Sequence, residues 1–111
     1  MSATATLLVL TNLPDAEAAA KLAARLVAQR LVACANVLPG CTSVYRWQGA
    51  LETTSEVPLL LKTSAARYPA LEAAILAAHP YELPEIVAVP VERGLPAYLA
   101  WVASETEAET D

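Results

Sequence analysis

The residues from Ala33 to Thr63 constrain the fold of this sequence most, because they predict one long β-hairpin. They read ACANVLPGCTSVYRWQGALETTSEVPLLLKT. Val, Thr, Tyr and Trp favour strands and are frequent in this segment. Gln48-Gly49 fits the two-residue turn of a hairpin. The outgoing arm is therefore predicted from about residue 33 to 48, and the returning arm from about residue 51 to 63.

Two prolines predict irregularities in the arms of this hairpin. Pro39, with the glycine after it, predicts a bulge or kink that divides the outgoing arm into 33–37 and 42–48. Pro58 lies inside the returning arm and has no backbone N–H to donate, so a bulge or an unpaired position is expected there. Three consecutive leucines, Leu59 to Leu61, are typical of a central strand that is buried on both faces.

The first part of the chain predicts a strand followed by a helix. The apolar run from Ala5 to Thr11 predicts a central strand. Pro14 and Asp15 suit the start of a helix, where acidic side chains interact favourably with the helix dipole. The residues that follow place an apolar stripe on one helix face: Ala19, Leu22, Ala23, Leu26 and Val27.

The last part of the chain repeats this order of elements in reverse. A helix is predicted over 67–79, ended by Pro80, with an apolar stripe of Leu71, Ala74, Ile75 and Ala78. A strand follows over 85–92, in which Pro90 indicates a sheet edge. A short helix over 97–104 completes the pattern.

The order βαββαβ predicts an α+β fold, the ferredoxin-like sandwich. Right-handed crossovers give a four-stranded antiparallel sheet with the two main helices on one face and the short C-terminal helix in addition. The other sheet face is left bare, and a bare apolar face needs a partner.

Length and composition favour one domain that self-associates. A chain of 111 residues is large enough for one core, and its hydrophobic fraction of 56% is above the average of soluble domains. A buried subunit interface would use this apolar surplus; the alternative is a monomer with an alanine-rich core. The domain is expected to span residues 1–104. The four acidic residues in 105–111 predict a solvated, frayed tail.

Charge and cysteine content narrow the class of function. The net charge of −5, with seven scattered basic residues, argues against nucleic-acid binding. Cys34 and Cys41 have no CxxC spacing and would face opposite sides of a strand, so no disulfide is expected. Cys34 is predicted to be a small buried residue and Cys41 to be partly exposed.

No apolar run approaches the roughly 20 residues of a membrane span or resembles a signal peptide, so a cytoplasmic protein is expected.

A compact turn, HPYELPE from residue 79 to 85, gathers titratable side chains between two prolines. Imidazole and carboxylate suit Cu²⁺ or Zn²⁺, so His79, Glu82 and Glu85 are candidate metal ligands, with copper favoured at equal geometry. A homo-oligomer repeats each ligand and could complete the coordination sphere. Because a ligating imidazole must be neutral, copper affinity is expected to fall below about pH 6. The alternative is structural: His79 caps the preceding helix.

Lys62 and the same turn also form a candidate ligand site. Lysine is rarely fully buried without an acidic partner, and Lys62 follows three leucines in a predicted central strand. One interpretation is that Lys62, Tyr81 and Glu82 bind a small anion or carboxylate ligand in a cleft, with Lys62 facing Glu82 or Glu85. The other is that Lys62 extends its ammonium group into solvent at the end of the strand.

Four aromatic residues are candidates for a subunit interface. Tyr45 and Trp47 alternate onto one face of the hairpin, and Tyr98 and Trp101 share a helix face at i, i+3. Aromatic side chains contribute strongly to interfaces, so packing between subunits is favoured over ligand stacking.

Nothing in the sequence predicts an enzyme. No serine or cysteine is paired with a histidine in a recognisable motif, and neither a GxGxxG nor a Walker A sequence is present. Acylphosphatases share the predicted fold but need an arginine in the loop after the first strand, where this sequence reads TNLPD. No organic cofactor is expected.

Three motifs resemble the CutA family of divalent-cation tolerance proteins: ACANVLPGCTSVYRWQG, SEVPLLLKT, and HPYELPEIVAVPV followed by YLAWV. They cover about residues 5–103. The resemblance implies a ferredoxin-like homotrimer whose hairpins reach neighbouring subunits, and a role in divalent-metal, especially copper, tolerance without an established enzymatic activity. It also implies a likeness to the PII signalling proteins, which sense small ligands in clefts between subunits. Thr11 stands where some relatives carry a cysteine implicated in metal binding.

Three classes of function follow for this chain. The first is a non-catalytic homotrimer that binds a divalent cation, Cu²⁺ foremost. The second is a PII-like trimeric sensor of a small ligand, and the third is a scaffold trimer. The sequence favours the first.

Overall fold

Five strands and three helices follow one another along residues 1–108, the part of the chain that the computed structural model describes. The strands are β1 (Thr6–Leu13), β2 (Cys34–Val37), β3 (Cys41–Trp47), β4 (Ala50–Ser64) and β5 (Val87–Pro90). The helices are α1 (Ala16–Ala28), α2 (Tyr68–Ala78) and α3 (Pro96–Glu105), and a turn of 3₁₀ helix, Ala65–Arg67, precedes α2. Within these residues, no helix has the length and apolar character needed to cross a membrane.

The strands form an antiparallel sheet in the order β2-β4-β1-β5. β2 and β3 are the two halves of the predicted outgoing hairpin arm, so the order is that of the predicted ferredoxin-like fold. β1 pairs with Val57–Ser64 of β4, whereas Ala50–Glu56 pair with β3. The β3–β4 ribbon therefore projects beyond the rest of the sheet. Its turn is Gln48-Gly49, with both residues at positive φ (49° and 83°), as a two-residue hairpin turn requires.

Helix α1 begins and ends with defined caps. The Asp15 carboxylate accepts a 2.8 Å hydrogen bond from the Ala18 N–H, as an N-cap does. At the other end Arg30 adopts φ 59°, and the Leu31 N–H donates to the Leu26 carbonyl, as in a Schellman motif. Four of the five predicted stripe residues are buried, but Val27 is 42% exposed. Val27 lies about 100° around the helix from Leu26, beyond the edge of the packed face.

The predicted bulge lies in the outgoing arm, opposite Pro58. Val37 of β2 pairs with Leu59, and Cys41 of β3 pairs with Glu56, so three residues (38–40) lie opposite two (57–58). Pairing of β1 with β4 continues through Pro58 without interruption. The Pro58 carbonyl accepts from the Leu38 N–H at 2.9 Å. In an antiparallel sheet, the N–H and C=O of one residue point towards the same neighbouring strand. The side of Pro58 that lacks an N–H therefore faces the bulge in the outgoing arm, where no regular hydrogen-bond partner is required.

One face of the sheet packs against α1 and α2 and forms the core. Side chains alternate along the strands, so Val9 of β1 and Leu61 of β4, which pair, both point to this face. The large members of the core are Leu7, Val9, Leu13, Leu22, Leu26, Leu31, Val32, Leu59, Leu61, Leu71 and Ile75.

The opposite face of the sheet, the open face, is largely uncovered in one chain. It carries Leu8, Leu10 and Leu60, with Val87 and Val89 of the edge strand β5 half exposed. The prediction that Leu59, Leu60 and Leu61 are all buried is wrong for Leu60, which points to the open face and is only half-buried. The bare apolar face itself is as predicted.

Helix α3 continues past the predicted end of the domain. It runs to Glu105, whose carboxylate lies 3.7 Å from the Arg30 guanidinium, and Arg30 also donates to the Ser104 carbonyl at 2.8 Å. Thr106 is buried, and its hydroxyl oxygen lies 3.1 Å from that of Ser64. The predicted tail thus begins later than residue 105, and its last three residues, 109–111, lie outside the described part of the chain.

Candidate functional site

A groove of about 640 Å³ lies between the β3–β4 ribbon and the turn 81–85. The register of the ribbon puts alternate residues on one face: Ser43, Tyr45, Trp47, Thr54 and Glu56. All five line the groove, and the turn contributes Tyr81, Glu82, Leu83 and Glu85 from the other side. Asn12, at the end of β1, and Val44 and Arg46, from the other row of the ribbon, complete the wall. The groove therefore joins two segments that the sequence predicted to be functional.

The aromatic side chains of the ribbon form one wall of the groove. Tyr45 and Trp47 lie in the same row, as predicted from their alternation. The Tyr45 hydroxyl lies 3.0 Å from the Thr54 hydroxyl in the neighbouring strand, which fixes the ring across the ribbon. Tyr45 remains 42% exposed, so its predicted role in an interface stays a prediction.

His79 does not line the groove, and both of its ring nitrogens form hydrogen bonds within its own chain. Its Nε2 is 2.7 Å from the carbonyl oxygen of Asn12, and its Nδ1 accepts from the Tyr81 N–H at 3.2 Å. A carbonyl only accepts and an N–H only donates, so this pattern fits the neutral ring protonated at Nε2. His79 is also the C-cap of α2, with its own N–H donating to the Ile75 carbonyl. The imidazole thereby ties the turn to the end of β1.

The three candidate metal ligands do not share one position in this chain. Glu82 and Glu85 line the groove, whereas His79 does not. Among the described residues, no three His, Cys, Asp or Glu side chains come close enough together to hold a metal ion. The chain's own carboxylates suit a divalent cation chemically, but a complete site needs further ligands. The metal assignment stays a prediction.

Tyr81 places its hydroxyl at the inner end of the groove, near Glu56. The oxygen is buried and has no partner in hydrogen-bonding geometry among the described residues. Burial raises the pKa of Tyr81 from 10.0 to about 12, and the nearby Glu56 carboxylate is the next cause, even though the two groups are not aligned as a hydrogen bond. The phenol ring also lies 4.7 Å from the His79 ring, which holds it in place.

We expect Tyr81 to be the last tyrosine to ionise. Its raised pKa means that the folded state favours the neutral phenol, so this contribution to stability is complete below pH 10 and is lost as the pH rises from 10 towards 12. Tyrosinate absorbance of the native protein should show a late step that is absent in Tyr81→Phe. Tyr68→Phe is the control, because a second tyrosine with a raised pKa should leave that late step in place. A late step that survives in Tyr81→Phe would contradict this assignment.

Lys62 lies on the open face and does not line the groove. Its ammonium donates to the Asn36 side-chain oxygen at 2.9 Å and lies 3.8 Å from the Cys34 sulfur. Within one chain it therefore does not meet Glu82 or Glu85, and its ligand-binding role stays a prediction. Cys34 is half-buried beside this ammonium rather than fully buried, because the open face lacks a cover. Both cysteines are free, as predicted, and Cys41 is exposed.

Tyr98 and Trp101 lie on α3, away from the groove. Their ring centroids are 5.6 Å apart with planes tilted by 36°, so they share a helix face as predicted. About two fifths of each side chain is exposed. This exposed aromatic pair is available to a partner, and its interface role stays a prediction.

The sequence did not single out Glu56, the most buried charged side chain of the groove. Only 9% of Glu56 is exposed. The signal that could have found it is the period of two along the returning arm, since Thr54 and Glu56 share a row with Tyr45 and Trp47 once the register at Gln48-Gly49 is known.

Comparison with known proteins agrees with this fold along almost the whole chain. The family model described as CutA1 divalent ion tolerance protein matches residues 7–105. The Divalent-cation tolerance protein CutA of Thermus thermophilus is 45% identical over 98 residues, which is 88% of this chain and 95% of that protein. Mouse Protein CutA is 44% identical over 94 residues; the match covers 85% of this chain and 53% of the mouse protein.

A solved structure has the same fold. The crystal structure of CutA from Xylella fastidiosa superposes with a TM-score of 0.88 at 45% identity, covering 92% of this chain and 98% of that one. Sequence, topology and structural likeness agree over the same residues. The chain belongs to the CutA1 family of divalent-ion tolerance proteins.

Proposed function

We propose that this chain acts as a cytoplasmic homotrimer in divalent-cation tolerance, that it binds the cation itself, Cu²⁺ foremost, and that it has no catalytic activity of its own. The observation that carries the proposal is the carboxylate-lined groove between the β3–β4 ribbon and the turn 81–85. Membership of the divalent-ion tolerance family supports the same class of ligand.

Apolar surface supports the self-association. The open face of the sheet carries five aliphatic side chains, of which Val87 and Val89 are about half exposed and Leu8, Leu10 and Leu60 are half-buried in one chain. The outer row of the ribbon adds Val44 and Leu51, which are 62% and 73% exposed. Exposed apolar surface of this extent is typical of an interface rather than of a monomer. Because the ribbon projects from the sheet and has one exposed apolar face, it is well placed to pack against a neighbouring subunit.

Association also offers a way to complete the cation site. Each chain supplies the carboxylates of Glu82 and Glu85, and a neighbouring chain can add further oxygen or nitrogen ligands. His79 can join them only by exchanging one backbone hydrogen bond, such as that to the Asn12 carbonyl, for the metal. Bound to such ligands, Cu²⁺ would be sequestered rather than used for chemistry.

Calorimetric titration of the purified protein with Cu²⁺ and Zn²⁺ tests the site. We expect saturable copper binding that is strongly weakened in the double variant Glu82→Gln, Glu85→Gln and unchanged in the control Glu92→Gln, an exposed carboxylate outside the groove. If His79 is a ligand, the affinity falls below about pH 6 and is reduced in His79→Gln. Unchanged affinity between pH 5 and 8 removes His79 from the ligand set, and unchanged affinity in the double variant contradicts the site.

A second candidate function is supported by the size and walls of the groove. Its volume lies in the range typical of small-molecule sites, and three aromatic side chains line it. A trimeric sensor of a small organic ligand would use such a groove. Titration with nucleotides and small carboxylates tests the anionic ligands that the sequence suggested, with Trp47→Ala as the variant of the groove and Lys62→Ala as the variant of the open face.

A further inference from the structure

Glu56 is the most buried charged side chain of the groove, and the Tyr81 hydroxyl lies near it. The side chain is 9% exposed and lines the inner end of the groove. Among the described residues it forms neither an ion pair nor a side-chain hydrogen bond. Burying a carboxylate in this way is costly unless a positive group or hydrogen-bond donors compensate it. The position therefore suits a ligand that brings a positive charge.

Tyr81 adds an unsatisfied hydroxyl at the same place. Its hydroxyl oxygen is buried beside Glu56 and has no partner in hydrogen-bonding geometry among the described residues. A hydroxyl oxygen has two lone pairs that accept hydrogen bonds. A ligand that donates two or three hydrogen bonds can thus satisfy Glu56 and Tyr81 together.

The remaining walls also suit an organic cation. Tyr45 and Trp47 line the groove, and aromatic rings attract ammonium groups and pack against methylene chains. The turn adds the carboxylates of Glu82 and Glu85 along the other wall. Arg46, the basic residue in the groove wall, belongs to the row on the opposite face of the ribbon.

We propose that the groove binds an aliphatic diamine. One ammonium group donates hydrogen bonds to the Glu56 carboxylate and the Tyr81 hydroxyl at the inner end. The methylene chain lies along Tyr45 and Trp47, and the second ammonium group faces Glu82 and Glu85. This ligand class is separate from the divalent cation and does not rest on the proposed metal binding.

Calorimetric titration of the full-length protein with putrescine tests the proposal. Putrescine should bind saturably, butylamine more weakly because it lacks the second charge, and butanediol not at all because it has no charge. Trp47 lies in the groove wall, so its fluorescence should change on binding, and Trp101→Phe removes the signal of the other tryptophan. Equal heats from putrescine and butanediol would overturn the proposal.

Two variants separate recognition from folding. Glu56→Gln should weaken putrescine binding by about tenfold or more, because a charge-assisted hydrogen bond is lost, while Glu92→Gln leaves it unchanged. Without ligand, Glu56→Gln should not lower the thermal midpoint, because this carboxylate forms no ion pair among the described residues. Tyr81→Phe should weaken binding less than Glu56→Gln. A lowered midpoint in Glu56→Gln together with no putrescine binding by the native protein would mean that a neighbouring subunit already pairs with Glu56, and would overturn the proposal.

Parallel titrations with copper and with putrescine distinguish a failure of this inference from a failure of the proposed function. Putrescine binding without copper binding would contradict the proposed metal function alone. Copper binding without putrescine binding would contradict the diamine site alone.

Discussion

Leu61→Ala is expected to lower the free energy of unfolding by about 2–5 kcal/mol. Leu61 is fully buried in the central strand β4, between Val9 of β1 and Ala35 of β2, and it points to the face covered by α1 and α2. Removing its branched end leaves a cavity that the two flanking strands cannot close, because both are held by the sheet hydrogen bonds. Urea unfolding followed by circular dichroism, at one fixed protein concentration, measures the change.

Leu60→Ala is the matched control, since it removes the same atoms one residue away. Leu60 points to the open face and is only half-buried in one chain. We expect a smaller loss of stability than for Leu61→Ala in the dissociated chain, and a weakened assembly if the open face is the subunit interface. Equal losses at positions 60 and 61 in the dissociated chain would contradict the assignment of the two sheet faces.

Thr63→Val is expected to destabilise the fold by about 1–3 kcal/mol, whereas Thr11→Val is expected to be neutral or stabilising. Both side chains are fully buried. The Thr63 hydroxyl donates a 2.6 Å hydrogen bond to the Leu31 carbonyl, which follows the Schellman turn of α1. The Thr11 hydroxyl has no partner among the described residues. Replacing it by a methyl group therefore removes an unsatisfied polar atom at nearly constant volume.

The two threonine variants form an internally controlled pair. The substitution and the degree of burial are the same. Both residues also lie in the β1–β4 ladder, Thr11 opposite Leu59 and Thr63 opposite Leu7. Differential scanning calorimetry of both variants beside the native protein measures the difference. Thermal midpoints that move together, in either direction, would contradict the assigned role of the Thr63 hydrogen bond.

Local sequence signals predicted the parts of the fold that depend on near neighbours. Helix α1 has its N-cap, its dipole charges and its stripe within one segment, so its start and buried face could be predicted. The bulge at Pro39 depends on one proline and one glycine. The errors at Val27 and Leu60 have another cause: burial there depends on which element lies opposite, and a periodic pattern does not specify the width of the covered face.

The same distinction between local and long-range contacts explains which parts of the candidate site could be predicted. The alternation of Tyr45 and Trp47 is local and is confirmed. The contact of His79 with Asn12 joins residues 67 positions apart, and no spacing rule predicts it. Glu56 looked like one of several polar residues on a long strand, and only the turn that lies over it in three dimensions makes it a buried charge.

Native mass spectrometry of the protein mixed with excess Cu²⁺ tests the central claim most directly, because one spectrum reports both the number of chains and the number of bound ions. We predict an assembly of three times 11.7 kDa that carries bound copper, up to one ion for each groove. Copper should be lost from this assembly in the double variant Glu82→Gln, Glu85→Gln. A single-chain species at micromolar concentration, or a three-chain species whose mass is unchanged by Cu²⁺, would contradict the proposed function.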